Sequence, residues 1–216
     1  MSSLDDDDAP PREPILDTWT WKGDGAAWVA SLPVAPGNSA SVNAACAGVI
    51  AGVLDDFAPL ARVYAVTLVC DAGPVRLQWQ AGEPNASFRA RAIEAIRELP
   101  QPIMEAQLAL DLRVWFRTKD AEAPVLAWLR APHTELVLAL VDDGTRAAVM
   151  FEVTNTLFSA FTHPYAGEAN PLHALDQPLL EAALRRFAAR SSEELQVMGE
   201  LAGACPTGFS SDRDDY

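Results

Sequence analysis

The chain holds little of what reactive centres are commonly built from: three cysteines and three histidines in 216 residues. Cys46, Cys70 and Cys205 stand far apart and share no Cys-x-x-Cys spacing. An odd, scattered set argues for reduced thiols and against a disulfide framework. Cys46 and Cys70 lie in apolar stretches and read as small buried hydrophobes. Cys205 has no basic neighbour that would activate its thiolate. Glycine motifs are missing too. No Gly-x-Gly-x-x-Gly, Walker loop or Gly-x-Ser-x-Gly elbow occurs, so neither a phosphate cradle nor a nucleophile elbow is readable. His133-Thr-Glu135 imitates half of a zinc-deaminase signature, but the Pro-Cys-x-x-Cys half is absent. No apolar run approaches the roughly 20 residues that cross a bilayer. The opening Met-Ser-Ser-Leu-Asp-Asp-Asp-Asp is the reverse of a signal peptide, so a cytoplasmic location is expected.

Positive charge is also scarce: 16 Lys and Arg face 30 Asp and Glu, for a net −14. Five acids against Arg12 give residues 1–13 a charge of −4, and three against Arg213 give the tail from Pro206 a charge of −2. The remaining −8 lies on the body. Such a body repels nucleic acid and anionic membranes and steers basic partners toward itself. Basic stripes interleaved with aromatics, as nucleic-acid binding needs, are missing.

Half the residues are hydrophobic and 21% are charged, a globular composition able to bury a sizeable core. The chain is organised around 107–117. Leu108, Leu110, Leu112, Val114 and Phe116 alternate with Ala109, Asp111, Arg113, Trp115 and Arg117. A strict period of two means a half-buried strand with one dry and one charged face.

Around it the sequence predicts a strand at 15–21, a turn at 22–25 and a returning strand at 27–32. This places Trp19, Trp21 and Trp28 near one another. Apolar residues from Val42 to Phe57 recur at helical spacing, with Ser39 or Ser41 as cap. Gly48 and Gly52, four apart on the other side, suggest close approach of a second backbone. A hairpin at 62–80 and a helix at 86–99 follow. After the organising strand, a short helix from Asp120 competes with a strand from Val125. Asp142-Asp143-Gly144-Thr145 then closes a hairpin of 135–141 with 146–155. Residues 158–171 have no period. Pro178 opens a last helix, and the capping box Ser191-Ser192-Glu193-Glu194 predicts another helical segment to Leu201.

The expected fold is α+β. An antiparallel or mixed sheet of about six to seven strands, built from hairpins, carries helices on its apolar face. The expected organisation is a disordered acidic tail over 1–13, one domain over 14–204 and a loose acidic tail over 205–216. The expected function is non-enzymatic protein binding. Most concretely, the protein is read as a bacterial immunity protein that neutralises a cognate basic toxin, with Asp111, Arg113, Trp115 and Arg117 as the contact face. Alanine-rich composition fits a GC-rich bacterial source. His173–Arg186 resembles, over that one helix, the late Leu-rich helix of chaperones for secreted effectors, and this implies the alternative role. The third reading is an enzyme whose site gathers His163, Glu168 and His173 in the irregular stretch. No cofactor or metal is expected, nor a nucleic-acid or membrane partner, and oligomeric state is left open.

Overall fold

The structure is a computed structural model that describes residues 8–12, 25–119, 121–131, 134–154, 157–159 and 169–199. The strand expected at 15–21 lies outside these residues, as do Cys205 and the capping-box helix beyond Gly199.

β1 (Ala26–Pro33) opens at Gly25, whose φ of +57° favours glycine. A Cβ there would stand 2.5 Å from the Val153 carbonyl oxygen, so the close approach also needs it. α1 (Ser39–Phe57) follows. Its cap is Asn38, one residue before the expected serines. The Asn38 backbone is extended, and its side chain accepts from the Ser41 N–H at 3.0 Å. Val42, Cys46, Ile50, Val53 and Phe57 are buried on the inner stripe. Ala44 and Gly48 are exposed, and among the described residues no second backbone approaches Gly48. Gly52 instead faces the Arg190 guanidinium, which reaches across it to Asp56. By length and composition α1 would suffice to cross a bilayer; here it packs on its neighbours through that stripe.

β2 (Ala61–Cys70) and β3 (Gly73–Gln78) form the predicted hairpin, and α2 (Asn85–Arg97) returns to β4 (Glu105–Phe116), the organising strand. Between α2 and β4, buried Asn43 of α1 holds the connection. Its Nδ2 donates to the Leu99 and Gln101 carbonyls at 3.0 and 2.9 Å, and its Oδ1 accepts from Ile103 N–H at 2.8 Å.

Residues 125–129 form a strand, β5, and not the competing helix. β6 (Thr134–Val141) and β7 (Arg146–Val153) make the second hairpin around a 3-10 turn at Asp142–Gly144, with positive φ at Asp142 and Gly144. α3 (His173–Ala188) starts five residues before Pro178, which sits in its second turn. The capping box does not open a helix. β8 (Gln196–Met198) pairs there with β1, and Glu193 instead bonds Arg146 at 2.6 Å. That ion pair, together with the edge hydrogen bonds offered by β1, outweighs local helix propensity.

The architecture is α+β, as expected, with eight strands. Every named strand pairing is antiparallel, and the order runs β3-β2-β4-β6-β7-β1-β8, with β5 added to β4. The β4 registers make β5 and β6 two parts of one interrupted line. Leu129 faces Leu112, Glu135 faces Ala109, and the break falls between them. Even-numbered β4 side chains are buried with Trp28, Phe151, Phe57 and Phe187 in one core. Trp28 stacks on Phe151 with ring centroids 6.0 Å apart, so it is a core residue. The odd-numbered side chains of β4 lie on the opposite face.

Candidate functional site

Four local features meet on that opposite face. Arg62 and Asp111 are directly opposed in the β2–β4 ladder, and Trp128 faces Arg113 in the β4–β5 ladder. The β2 register slips between Val63 and Ala65, a bulge that inserts Tyr64 beside them. The break after β5 supplies Arg130. These positions give one constellation from residues far apart in sequence.

Its centre is Asp111, fully buried between two guanidiniums. Arg62 Nε and Nη2 each lie 3.3 Å from Asp111 Oδ2. Arg130 donates from Nε to Oδ1 at 2.9 Å and from Nη2 to Oδ2 at 3.3 Å. Arg62 is itself buried, with its guanidinium 4.8 Å from the Trp79 ring centroid and 4.5 Å from that of Trp128. Arg130 lies 3.9 Å over Tyr64 and is half exposed. Stacked guanidiniums keep their charge with little hydration, which suits arginine and not lysine. The hydrogen bond with Asp111 holds the Arg130 pKa above its ordinary value. Burial raises the Tyr64 phenol pKa; the Arg130 charge opposes this, while Asp111 and Glu135 add to it.

Trp79 is fixed from behind. Its indole N–H donates to the Glu83 carbonyl, and the Glu83 carboxylate is gripped by Arg91 at 3.1 and 2.9 Å. That pairing lowers the Glu83 pKa.

Residues 8–12, within the segment expected to be a disordered tail, cross this constellation. Asp8 Oδ1 accepts from the Asn85 N–H at the start of α2 at 2.7 Å. The Ala9 carbonyl accepts from Arg62 Nη2 at 2.7 Å. Arg12 N–H donates to the Trp128 carbonyl at 2.8 Å and makes a parallel bridge with Leu129. Cavities of about 560 Å³ and about 590 Å³ remain beside the segment. The first is lined by Pro10, Pro11, Tyr64, Trp79 and Arg130; the second lies toward α2, by Arg62, Asn85 and Arg89.

Next to the arginines, from Glu135 onward, the same face turns acidic. Glu135 and Glu152 are directly opposed in the β6–β7 ladder, and Glu105 lies further along β4. Half-buried Val29, Val137 and Met150 sit on adjoining strands in register.

Of the four residues expected to make the contact face, Asp111, Arg113 and Trp115 share one side of β4 and Arg117 follows its end. Their exposure rises along the strand. Asp111 is fully buried and forms the foundation of the face, Arg113 and Trp115 are half-buried, and Arg117 is exposed. The Trp115 N–H donates to Asp176 Oδ1 of α3 at 2.7 Å. Asp176 is buried, its Oδ2 has no hydrogen-bond partner among the described residues, and burial pushes its pKa up to about 7 against the pull of the Trp115 N–H.

His163 and Glu168 of the expected histidine site lie outside the described residues. His173 sits in the first turn of α3, with Nδ1 2.9 Å from the Phe158 carbonyl oxygen. Among the described residues, no group of three His, Cys, Asp or Glu is placed to hold a metal ion. Cys46 and Cys70 are buried and free, and burial pushes the Cys46 thiol up to about 11.

Sequence reasoning missed Arg62, Arg130, Tyr64, Trp79 and Trp128. The one available signal was Asp111 itself, a carboxylate in the middle of the most regular strand. Comparisons with protein-family models, with curated proteins and with solved structures returned no match.

Proposed function

We propose that this protein is a non-enzymatic binding module that neutralises a basic protein by direct contact, as an immunity protein does with its toxin. The observation that carries the reading is the Glu135–Glu152 pair, two carboxylates directly opposed across neighbouring strands. Carboxylates gathered on the outward face of the sheet would attract a cationic partner.

The surroundings support the same reading. Val29, Val137 and Met150 offer apolar area beside the carboxylates, the mixture that a protein interface uses at its core and rim. Arg113, Trp115 and Arg117 extend the face at the far end of β4. The −8 charge of the body would speed encounter with a cationic partner.

The test begins with recovery of the partner on immobilised protein. Its affinity is then measured across about 0.05 to about 0.5 M salt, for the native chain and for Glu135→Gln/Glu152→Gln. The expected outcome is weaker binding with added salt and a loss of roughly tenfold or more in the double variant. An affinity indifferent to both changes would refute the proposal, as would a captured partner of acidic character.

A further inference from the structure

The arginine–aromatic groove on β2, β4 and β5 has an occupant of its own. We infer that it is a recognition site for an extended, acidic, proline-containing segment of a partner protein, and that residues 8–12 fill it in cis until such a segment displaces them. The inference concerns the basic end of the sheet face and does not depend on what binds the acidic end.

The chemistry of the site is read from how residues 8–12 sit. A carboxylate, Asp8, takes the free amide at the N-terminus of α2, where N–H groups and the helix dipole favour an anion. One residue on, the Ala9 carbonyl takes the buried guanidinium of Arg62. Two prolines then line an aromatic-walled cavity with Tyr64 and Trp79. Aromatic grooves suit proline because a polyproline segment arrives already extended and loses little entropy on docking. Arg12 finally adds a main-chain bond to β5. Acid, carbonyl, proline pair and strand-like amide each meet a matching group in order.

The same geometry makes the cis segment exchangeable. The hydrogen bonds given above draw on main-chain groups and one carboxylate, which another peptide can supply equally. The cavities of about 560 and 590 Å³ at its flanks leave room for side chains larger than the Ala, Pro and Pro now present. A longer or bulkier segment of the same polarity would fill space that residues 8–12 leave empty. Its apparent affinity is reduced by the fraction of chains in which the groove stands open.

The test uses the full-length chain and a fluorescent peptide copied from residues 2–13, Ser-Ser-Leu-Asp-Asp-Asp-Asp-Ala-Pro-Pro-Arg-Glu. The triple change Asp8→Lys, Pro10→Gly, Pro11→Gly weakens the cis segment without touching the core. The inference expects the peptide to bind this variant at least about tenfold more tightly than the native chain, by fluorescence anisotropy. It expects Trp79→Ala in the same background to remove most of that binding. A control peptide with Gly for both prolines should bind at least about tenfold more weakly, which separates recognition from charge alone. Amide exchange supplies a second reading on the folded protein: the Asn85 N–H should lose protection in the triple variant and regain it when the peptide is added. Equal peptide affinity for the native and triple-variant chains overturns the inference. So does absence of binding to both, equal binding of the glycine control, or an Asn85 amide unaffected by the triple change.

Discussion

Replacing Asp111 by alanine leaves Arg62 without its carboxylate in a place where water cannot reach it. The Arg62 side chain is 3% exposed and the Asp111 side chain 0%. Removing one member of a buried ion pair typically costs about 3–5 kcal/mol, chiefly because the remaining charge stays desolvated. The groups that remain around Arg62 soften the loss. The Ala9 carbonyl still accepts from Nη2, and the Trp79 and Trp128 rings still bracket the cation. Cation–π contacts of this kind contribute about 0.5–2 kcal/mol each. The expected destabilisation for Asp111→Ala is therefore near the lower end, about 3 kcal/mol. Arg130 is half exposed, so Arg130→Met should cost less, about 1 kcal/mol.

The assay is urea unfolding followed by circular dichroism. With a slope of about 2 kcal/mol per molar urea, Asp111→Ala should lower the midpoint by about 1.5 M. A companion double variant, Arg62→Met/Asp111→Leu, removes both charges and keeps the volume. Apolar replacement of a buried pair is commonly neutral or stabilising, so it should recover to within about 1 kcal/mol of the native chain. Two results would refute the reasoning. An Asp111→Ala stability within about 0.5 kcal/mol of native would show the carboxylate to be solvated. A double variant as unstable as Asp111→Ala would show that shape, and not an unpaired charge, carries the cost.

Two further outcomes follow from buried polar groups elsewhere. Asn43→Ala strips three hydrogen bonds from the α2–β4 connection and orphans buried backbone groups, so a loss of about 3 kcal/mol is expected. Calorimetry should show this as a melting point lower by roughly 6–12 °C; a shift under about 2 °C would mean water replaces the side chain. Asp176, raised to about 7 when folded, binds its proton more tightly than in the unfolded chain, where about 3.9 is usual. Its contribution is therefore fully present below about pH 4 and is lost as pH rises through about 7. Asp176→Asn should flatten that decline and be the more stable protein at about pH 8, by up to a few kcal/mol. Urea midpoints at about pH 5 and about pH 8 check it, and parallel curves for the two proteins would contradict it.

How much of this was legible before the structure depends on which physical signal each feature leaves. The dry face of β4 was readable because Leu108 to Phe116 obey a period of two over five apolar positions, and the pleat turns that period directly into burial. The β2–β3 and β6–β7 hairpins were readable because their turns must adopt positive φ, which Gly73, Asp142 and Gly144 supply. The interior of α1 was readable from helical spacing, though its cap was displaced to Asn38 because several residues nearby can cap and only backbone geometry chooses among them. At the other end, Ser191 to Glu194 has a genuine capping pattern, yet a strand forms after it. There, local preference of a few tenths of a kcal/mol per residue met an open strand edge on β1 and an arginine partner on β7.

The site failed to declare itself for a different reason. Alternation says which side of a strand faces away from the core, but nothing about what lies above that side. Asp111 and Arg113 therefore look equally wet in sequence. What separates them is the register that sets Arg62 opposite Asp111, the one-residue slip that brings in Tyr64, and the break that frees Arg130. Each is a long-range pairing between segments 19 to 49 residues apart in the chain. No local propensity encodes a partner at that distance. The charged face of the central strand was thus visible as charge, while its division into an Arg–Asp–Arg foundation with Asp111 and Arg62 buried, an occupied groove and an acidic surface is a property of the assembled sheet.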